Sequence, residues 1–244
     1  LAAVLARHRV AACGLMPNFQ NPLGSLMPVE RKRAVVALLA RHGVPLIEDD
    51  VYGELHFGAT RPPPAKAFDE AGGVLHCTSF SKCLAPGYRV GWVSAGQHAP
   101  ALRRLKTMTS LATAVPSQLA IAEYLVQGGF DRHLRQLRRR LEVQQQAMRA
   151  GIERHFPAGT RVSRPQGGYF LWLELPAGAD ALALHRRALA CSISIAPGPL
   201  FSADHRLRRG LRLNFGHPPE DTRIAGALET LGQLAGGTGI SAAR

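Results

Sequence analysis

Lysine is scarce in this chain. Of its 30 lysines and arginines only four are lysine: Lys32, Lys66, Lys82 and Lys106. Cysteine is equally sparse. Cys13, Cys77, Cys83 and Cys191 form no CxxC pair and sit in apolar runs. That excludes a disulfide scaffold and a zinc ribbon, and the four are expected to be reduced core thiols of a cytoplasmic protein. No apolar stretch approaches the ~20 residues a membrane helix needs, so no membrane partner is expected. The sequence shows no internal repeat, no metal-ligand cluster and no Walker loop. Acidic residues number 17, which leaves a formal net charge of +13, nearly all from arginine. Such a charge fits a nucleic acid or an anionic ligand; solvated, arginine-rich helices account for it equally well.

What is present is enough for a core. With 244 residues and 46% hydrophobic content, the chain suits one large domain or two smaller ones. Three of the lysines sit in ordinary polar surroundings. Lys82 follows the apolar run Val74-Leu75-His76-Cys77, which reads as a buried strand. Ser79 and Ser81 precede it, and Pro86-Gly87 break the chain after it. Arg89 then opens a second apolar run, Val90 to Val93. A lysine between two buried strands, with hydroxyls and an arginine close by, suits covalent amine chemistry beside a phosphate. Taken alone, the same lysine fits a solvated surface turn.

The order of elements points to an α/β domain followed by a smaller α+β domain. Leu1 to Arg9 reads as the tail of a helix already under way, so the chain is expected to be the C-terminal part of a longer protein. Val10 to Met16 reads as a strand, and Pro17 to Gly24 as a turn-rich loop. A helix is expected from Pro28 to Arg41, with Ala34, Val35, Leu38 and Leu39 on one face, ended by Gly43. Val44 to Ile47 and Val74 to Cys77 are expected strands, Thr60 to Pro64 an exposed loop, and Arg89 to Ser94 a further strand. Helices follow over Ala99 to Ser110 and Pro116 to Gln127. A long helix over Phe130 to His155 carries Arg132, Arg135, Arg138, Arg139 and Arg140. The remainder reads as strands at Arg161 to Val162, Tyr169 to Leu175, Ser192 to Ile195 and Leu211 to Phe215. Helices lie at Asp180 to Ala190 and Pro219 to Leu234, a turn at Ala196 to Pro199, and a mobile tail at Gly236 to Arg244. The expected divisions are 1–128, 129–155 and 156–244: a large domain, a linking helix and a small domain. Strand alternating with helix implies a largely parallel sheet, whose ligands sit beyond the C-terminal strand ends. Asn21, Asp49 and Lys82 each fall just after a strand, which places three polar groups toward one cleft.

Four groups of residues carry a family resemblance. Asn21-Pro22-x-Gly24, Asp49-x-x-Tyr52, Ser79-x-Ser81-Lys82 with Arg89, and Arg212-Leu213-Asn214-Phe215 resemble, in order, the signatures of fold-type I, class I/II aminotransferases. Those enzymes use pyridoxal 5'-phosphate. Gln20-Asn21-Pro22-Leu23-Gly24, Arg61-Pro62-Pro63-Pro64, Ser81 to Gly87, Gly129-Phe130-Asp131-Arg132-His133 and Leu211-Arg212-Leu213-Asn214-Phe215-Gly216 are more specific. They are similar to the aminotransferase-like domain of GntR-family regulators of the MocR type, in which a winged-helix DNA-binding domain comes first.

The resemblance implies a role for each position. Lys82 would carry the cofactor covalently and act as general base. Asp49 would pair with the pyridine nitrogen; without the resemblance it reads as a turn or helix-capping residue. Tyr52 and Asn21 would bind the ring hydroxyl, Asn21 also lying toward the substrate, though a tyrosine there could simply pack. Ser79 and Arg89 would bind the phosphate, with Ser81 a third ligand. Arg212 would clamp the substrate carboxylate, although alone it reads as an exposed strand arginine. Glu48 and Asp50 receive no role. The family's phosphate-binding loop and ring-stacking aromatic would precede residue 1, so weak cofactor binding, or none, is expected of this chain by itself.

Three functions remain open from the sequence: an aminotransferase acting on an amino acid and a 2-oxo acid, a sensor of the cofactor or its adduct with an amino compound, and an inert dimerisation scaffold. Retention of Lys82, Asp49, Tyr52 and Arg212 argues against the scaffold. The expected assembly is a homodimer, and DNA would be reached only through an N-terminal domain absent from this chain.

Overall fold

The computed structural model describes residues 1–204, 206–217 and 222–237. It divides into two compact units, one comprising Leu1–Gln20 and Ser25–Arg138, the other Asn21–Gly24 and Arg139–Arg244. Among the described residues no helix is long and apolar enough to cross a membrane.

The first unit is built on a four-stranded sheet in the order β1 (Cys13–Leu15), β2 (Leu46–Asp49), β3 (Val74–Ser79) and β4 (Gly91–Ser94). The first three run parallel, and β4 returns antiparallel to β3. Helices α1 (Ala2–Arg7) and α2 (Val29–Arg41) supply Leu5, Val36 and Leu39 to a core that includes Val44, Leu46 and Val74. Burying a side chain such as Leu39 contributes about 2 kcal/mol. The buried face of α2 is therefore Lys32, Val36 and Leu39, whereas Ala34, expected inside, is exposed.

Strand β2 begins two residues later than expected. Gly43 takes φ +63, and the N–H groups of Gly43 and Val44 close the end of α2 on Ala40 and Leu39. Val44 and Pro45 are thus spent leaving the helix. Strand β1 is likewise confined to the residues that face Leu46 to Glu48. Strand β4, expected to be buried, is exposed along its length. Apolar content marks a strand but cannot say which of its faces a neighbouring element covers. Helices α3 (Ala99–Ser110) and α4 (Val115–Val126) follow, then α5 (Gly129–His155). At 27 residues α5 spans about 40 Å. Its residues to Arg138 belong to the first unit and those from Arg139 to the second.

The second unit holds an antiparallel sheet in the order β5 (Arg161–Val162), β6 (Phe170–Glu174), β8 (Gly210–Asn214), β7 (Ala196–Pro197). Alternation gives it two unlike faces. Leu171, Leu173, Leu211 and Leu213 are buried, as are Leu228 and Leu231 of α7 (Arg223–Ala235). Phe170, Trp172, Arg212 and Asn214 fall on the other face. Helix α6 (Ala181–Ala190) is capped by Asp180, which accepts from the N–H groups of Leu182 and Ala183. Such a cap is worth about 1 kcal/mol.

Two expectations shift here. The strand expected at Ser192 to Ile195 lies instead at Ala196–Pro197, inside the expected turn. Ile193 N–H returns to Ala188 O and Ser192 sits at φ +59, so those residues form the exit from α6. The closing helix is described from Arg223; Pro219 to Asp221, and Thr238 to Arg244 of the expected tail, lie outside the described residues. The cysteines are all free, but only Cys83 is buried; Cys13 and Cys77 are half-buried and Cys191 is exposed, not in the core.

Candidate functional site

Strands β2 and β3 set the first half of the site. Their register pairs Asp49 with Cys77, so Asp49, Cys77 and Ser79 share one face, while Glu48 and His76 share the other. After Ser79 the chain makes a tight turn. Leu84 and Ala85 donate to Phe80 O at 2.9 and 3.0 Å, and Phe80 N–H returns to Val90 O. The Phe80 ring lies 5.1 Å from Trp92 and 6.0 Å from Phe130, which anchors the turn to β4 and α5. His133 of α5 meets Cys83 O at 2.8 Å. Lys82 is carried on this turn and is exposed, not enclosed by two buried strands as expected.

Arg89 ends the turn in the left-handed region at φ 55. Its Nη1 donates to Ser81 Oγ at 3.5 Å and to Pro86 O at 3.2 Å. Ser81 N–H in turn meets Ser79 Oγ at 3.4 Å. The structure therefore gathers Ser79, Ser81, Lys82 and Arg89 on one turn, with Asp49 at the end of the adjacent strand. A guanidinium with two hydroxyls suits a phosphate, and an amine suits an aldehyde. A carboxylate suits a ring nitrogen that must stay protonated. The residues of the first unit thus fit a phosphorylated pyridine aldehyde.

Beneath Asp49 lies a polar network that the sequence does not announce. Asp50 is 1% exposed; its Oδ1 accepts from Asn18 Nδ2 at 2.8 Å and its Oδ2 from Arg61 at 2.7 Å. Burial pushes the Asp50 carboxyl up, against the opposing pull of Asn18 and Arg61. Lys32, expected in polar surroundings, is 1% exposed and donates to Asn18 Oδ1 and Pro63 O at 2.5 and 2.6 Å. Its burial draws the ammonium down, although Asp50 and Glu48 oppose the shift. Glu48 is fully buried and accepts from the N–H groups of Ala65 and Lys66 and from His76 Nδ1. Burial alone would raise it; those three hydrogen bonds outweigh burial and hold it below the usual carboxylate range.

This network shapes the turn that bears Asp49 and Tyr52. Gly53 N–H returns to Asp50 O, and a Cβ at Gly53 would come within 2.5 Å of the Asp50 carboxylate. Tyr52 is 4% exposed. Arg61 also pairs with Glu54 at 2.8 Å, and Glu54 with Arg138 of α5 at 3.1 Å. The 61–64 segment is consequently half-buried, not the exposed loop expected from its prolines. Three consecutive acids at 48–50 and the Arg61-Pro62-Pro63-Pro64 run were the available signals. Neither says that their side chains meet.

In the second unit Arg212 and Asn21 come together. Arg212 Nη1 donates to Asn21 Oδ1 at 2.6 Å, across 191 positions. Gly24, at φ +68, ends the Asn21–Gly24 segment against β6, where a Cβ would meet Phe170 O at 2.8 Å. The Arg212 guanidinium lies over two aromatic rings, 4.3 Å from the Phe170 centroid and 5.1 Å from that of Phe201. Arg212 is thus no solvated strand arginine; it is a cation held edge-on to an amide oxygen.

With this geometry in hand, the family follows. The chain belongs to the aminotransferase class I and II family, whose profile matches residues 8–227. It is 49% identical over 214 residues to the HTH-type transcriptional regulator YdcR of Escherichia coli, covering 88% of this chain and 46% of that protein. It is 38% identical over 221 residues to the 2-aminoadipate transaminase of Thermus thermophilus, covering 88% of this chain and 55% of that one. The crystal structure of the α-aminoadipate aminotransferase LysN from Thermus thermophilus, complexed with N-(5'-phosphopyridoxyl)-L-leucine, is similar with a TM-score of 0.87 and 35% identity. That match covers 96% of this chain and 61% of LysN. The fold is that of the type I pyridoxal-phosphate-dependent transferases. The chain spans about half the length of the curated relatives it matches.

Proposed function

We propose that this chain is the pyridoxal 5'-phosphate-binding, aminotransferase-like domain of a GntR/MocR-type transcriptional regulator, sensing an amino compound and retaining at least latent transaminase chemistry. The observation that carries the reading is the gathering of Lys82, Ser81 and Arg89 on one turn beside the strand end that bears Asp49. Similarity to the regulators YdcR and YjiR supports the regulatory context. A homodimer in the cytoplasm, reaching DNA through an N-terminal domain, belongs to the same proposal.

In this reading Arg89, Ser79 and Ser81 hold the phosphate, with Arg89 supplying the charge. Asp49 keeps a proton on the ring nitrogen, and Tyr52 and Asn21 hydrogen-bond the ring hydroxyl. Lys82 would hold the cofactor through its side-chain amine and carry a proton at Nζ. The bound coenzyme would supply an electron sink for charge developing at the substrate α-carbon. Arg212 receives the α-carboxylate of the amino acid in a planar fork.

A second reading, a free-standing aminotransferase, is favoured by the 38% identity to the 2-aminoadipate transaminase. Steady exchange between an amino acid and a 2-oxo acid by the full-length protein would select it. For either reading, the full-length protein mixed with pyridoxal 5'-phosphate is expected to show a visible absorbance band that Lys82→Ala abolishes. An unchanged band in that variant overturns the assignment of Lys82.

A further inference from the structure

The face of the second unit's sheet that bears Arg212 also bears two aromatic rings, and a third ring stands behind one of them. Phe170 lies diagonal to Arg212 across the β6–β8 ladder, while Trp172 stands directly opposite it. Phe201 comes from a separate segment, the short 3-10 turn Gly198–Phe201. Its ring meets Trp172 edge-on, at 6.2 Å and 75°. The indole in turn fills the space over Gly210, where a Cβ would lie 2.1 Å from it. The turn itself is seated tightly, because a Cβ at Gly198 would lie 2.0 Å from Leu207 O. Phe201 is therefore fixed at its backbone by one glycine and at its ring by Trp172.

We propose that Phe170 and Phe201 are positioning residues for carboxylate recognition. They cover the guanidinium of Arg212 with ring faces, so that its N–H edge is what a ligand meets. The inference rests on Arg212 being the carboxylate clamp. Two features go beyond plain packing. Phe170 is buried, but Phe201 is half-exposed, and its ring is nonetheless held over a cation. The edge left by the rings already meets an oxygen, that of Asn21. A planar carboxylate satisfies such a fork better than an amine, which offers no acceptor. An arginine stacked in advance also loses less rotamer freedom on binding. The aromatic pair should therefore set how strongly the site prefers an amino acid over the same amine without its carboxylate.

The test is isothermal titration of the full-length protein, with pyridoxal 5'-phosphate present, by 2-aminoisobutyrate and by isopropylamine, which is the same molecule without its carboxylate. Both carry the same amine, so their affinity ratio isolates the carboxylate. Phe201→Leu should lower the ratio by about two- to thirty-fold, the range of a cation–π contact. Phe201→Tyr, which restores a ring face, should return it to the wild-type value. Phe201→Met keeps bulk without a face and should behave as Phe201→Leu; it serves if the leucine variant melts early. Arg212→Met is the control. If it lowers the ratio while both Phe201→Leu and Phe201→Met leave it unchanged, the positioning role is overturned. If Arg212→Met leaves the ratio unchanged, the carboxylate clamp itself fails, and the inference with it.

Discussion

Asn18 and Asp50, 32 positions apart, are joined side chain to side chain at 2.8 Å with both residues buried. The bond ties the loop after β1 to the turn after β2. The same asparagine accepts from Lys32, and the same aspartate from Arg61. Three segments, bearing Asn18, Lys32 and Arg61, thus converge on the turn that carries Asp49, Asp50 and Tyr52.

Removing one member should cost far more than an average substitution. Asp50→Ala leaves Asn18 without its acceptor and deprives the buried Lys32 of a nearby carboxylate. We expect a loss of about 3 kcal/mol, with Asp50→Asn losing less. Urea melts of the full-length protein check this; equal midpoints for wild type and Asp50→Ala would remove the network from any role in stability.

Glu48 makes an acid-side prediction. Its folded-state pKa is depressed, so its contribution is complete above the unfolded value and is lost as pH falls through the folded one. Wild type should therefore lose stability relative to Glu48→Gln as pH drops below the ordinary glutamate range. At neutral pH the variant should be the weaker by about 1–3 kcal/mol. A stability difference that is flat from neutral pH to pH about 3 contradicts the assignment.

Gly24 offers a backbone test. Its φ of +68 and the 2.8 Å approach of Phe170 O leave no place for a methyl group. Gly24→Ala should destabilise the second unit by about 2 kcal/mol. It should also weaken binding of both the cofactor and the amino acid, because Asn21, which in the proposed reading meets the ring hydroxyl and which accepts from Arg212, shares the segment. Titrations of both ligands against this variant and the wild type give the comparison directly.

The thiols should separate by reactivity. Burial pushes the Cys83 thiol up to about 11, and Cys191 is exposed. A thiol reagent at pH about 8 should modify Cys191 first and Cys83 last. Early loss of the Cys83-bearing peptide from a mass map would show that the Lys82 turn opens readily.

Much of this was legible in the sequence, and the exceptions share a cause. Lys82, Ser81 and Arg89 are close along the chain, so their gathering needs one turn, which Pro86-Gly87 announces. Asp49 falls beside that turn because parallel strands bring their C-terminal ends together. Lys32, Glu48 and Asp50 could not be read in this way. Lys32 sits in Val-Glu-Arg-Lys-Arg-Ala, where charge suggests a wet surface, and its burial depends on Asn18 and Pro63 arriving from other segments. The exposure of β4 is of the same kind. Helix exits misled twice, at Val44 and at Ser192, because a residue that continues an apolar run can still be used up in closing the helix before it.

The two unlike faces of the β6–β8 sheet make pairing register a chemical matter as well as a structural one. A slip of one residue in β8 would turn Arg212 in among the leucines and bring Leu213 up between Phe170 and Phe201. The misregistered strand would bury a naked cation and present ligands with a greasy wall. The requirement for a cation on one side and leucine on the other therefore polices assembly of this sheet, and a chain that has lost its clamp in this manner should also be one that has failed to fold.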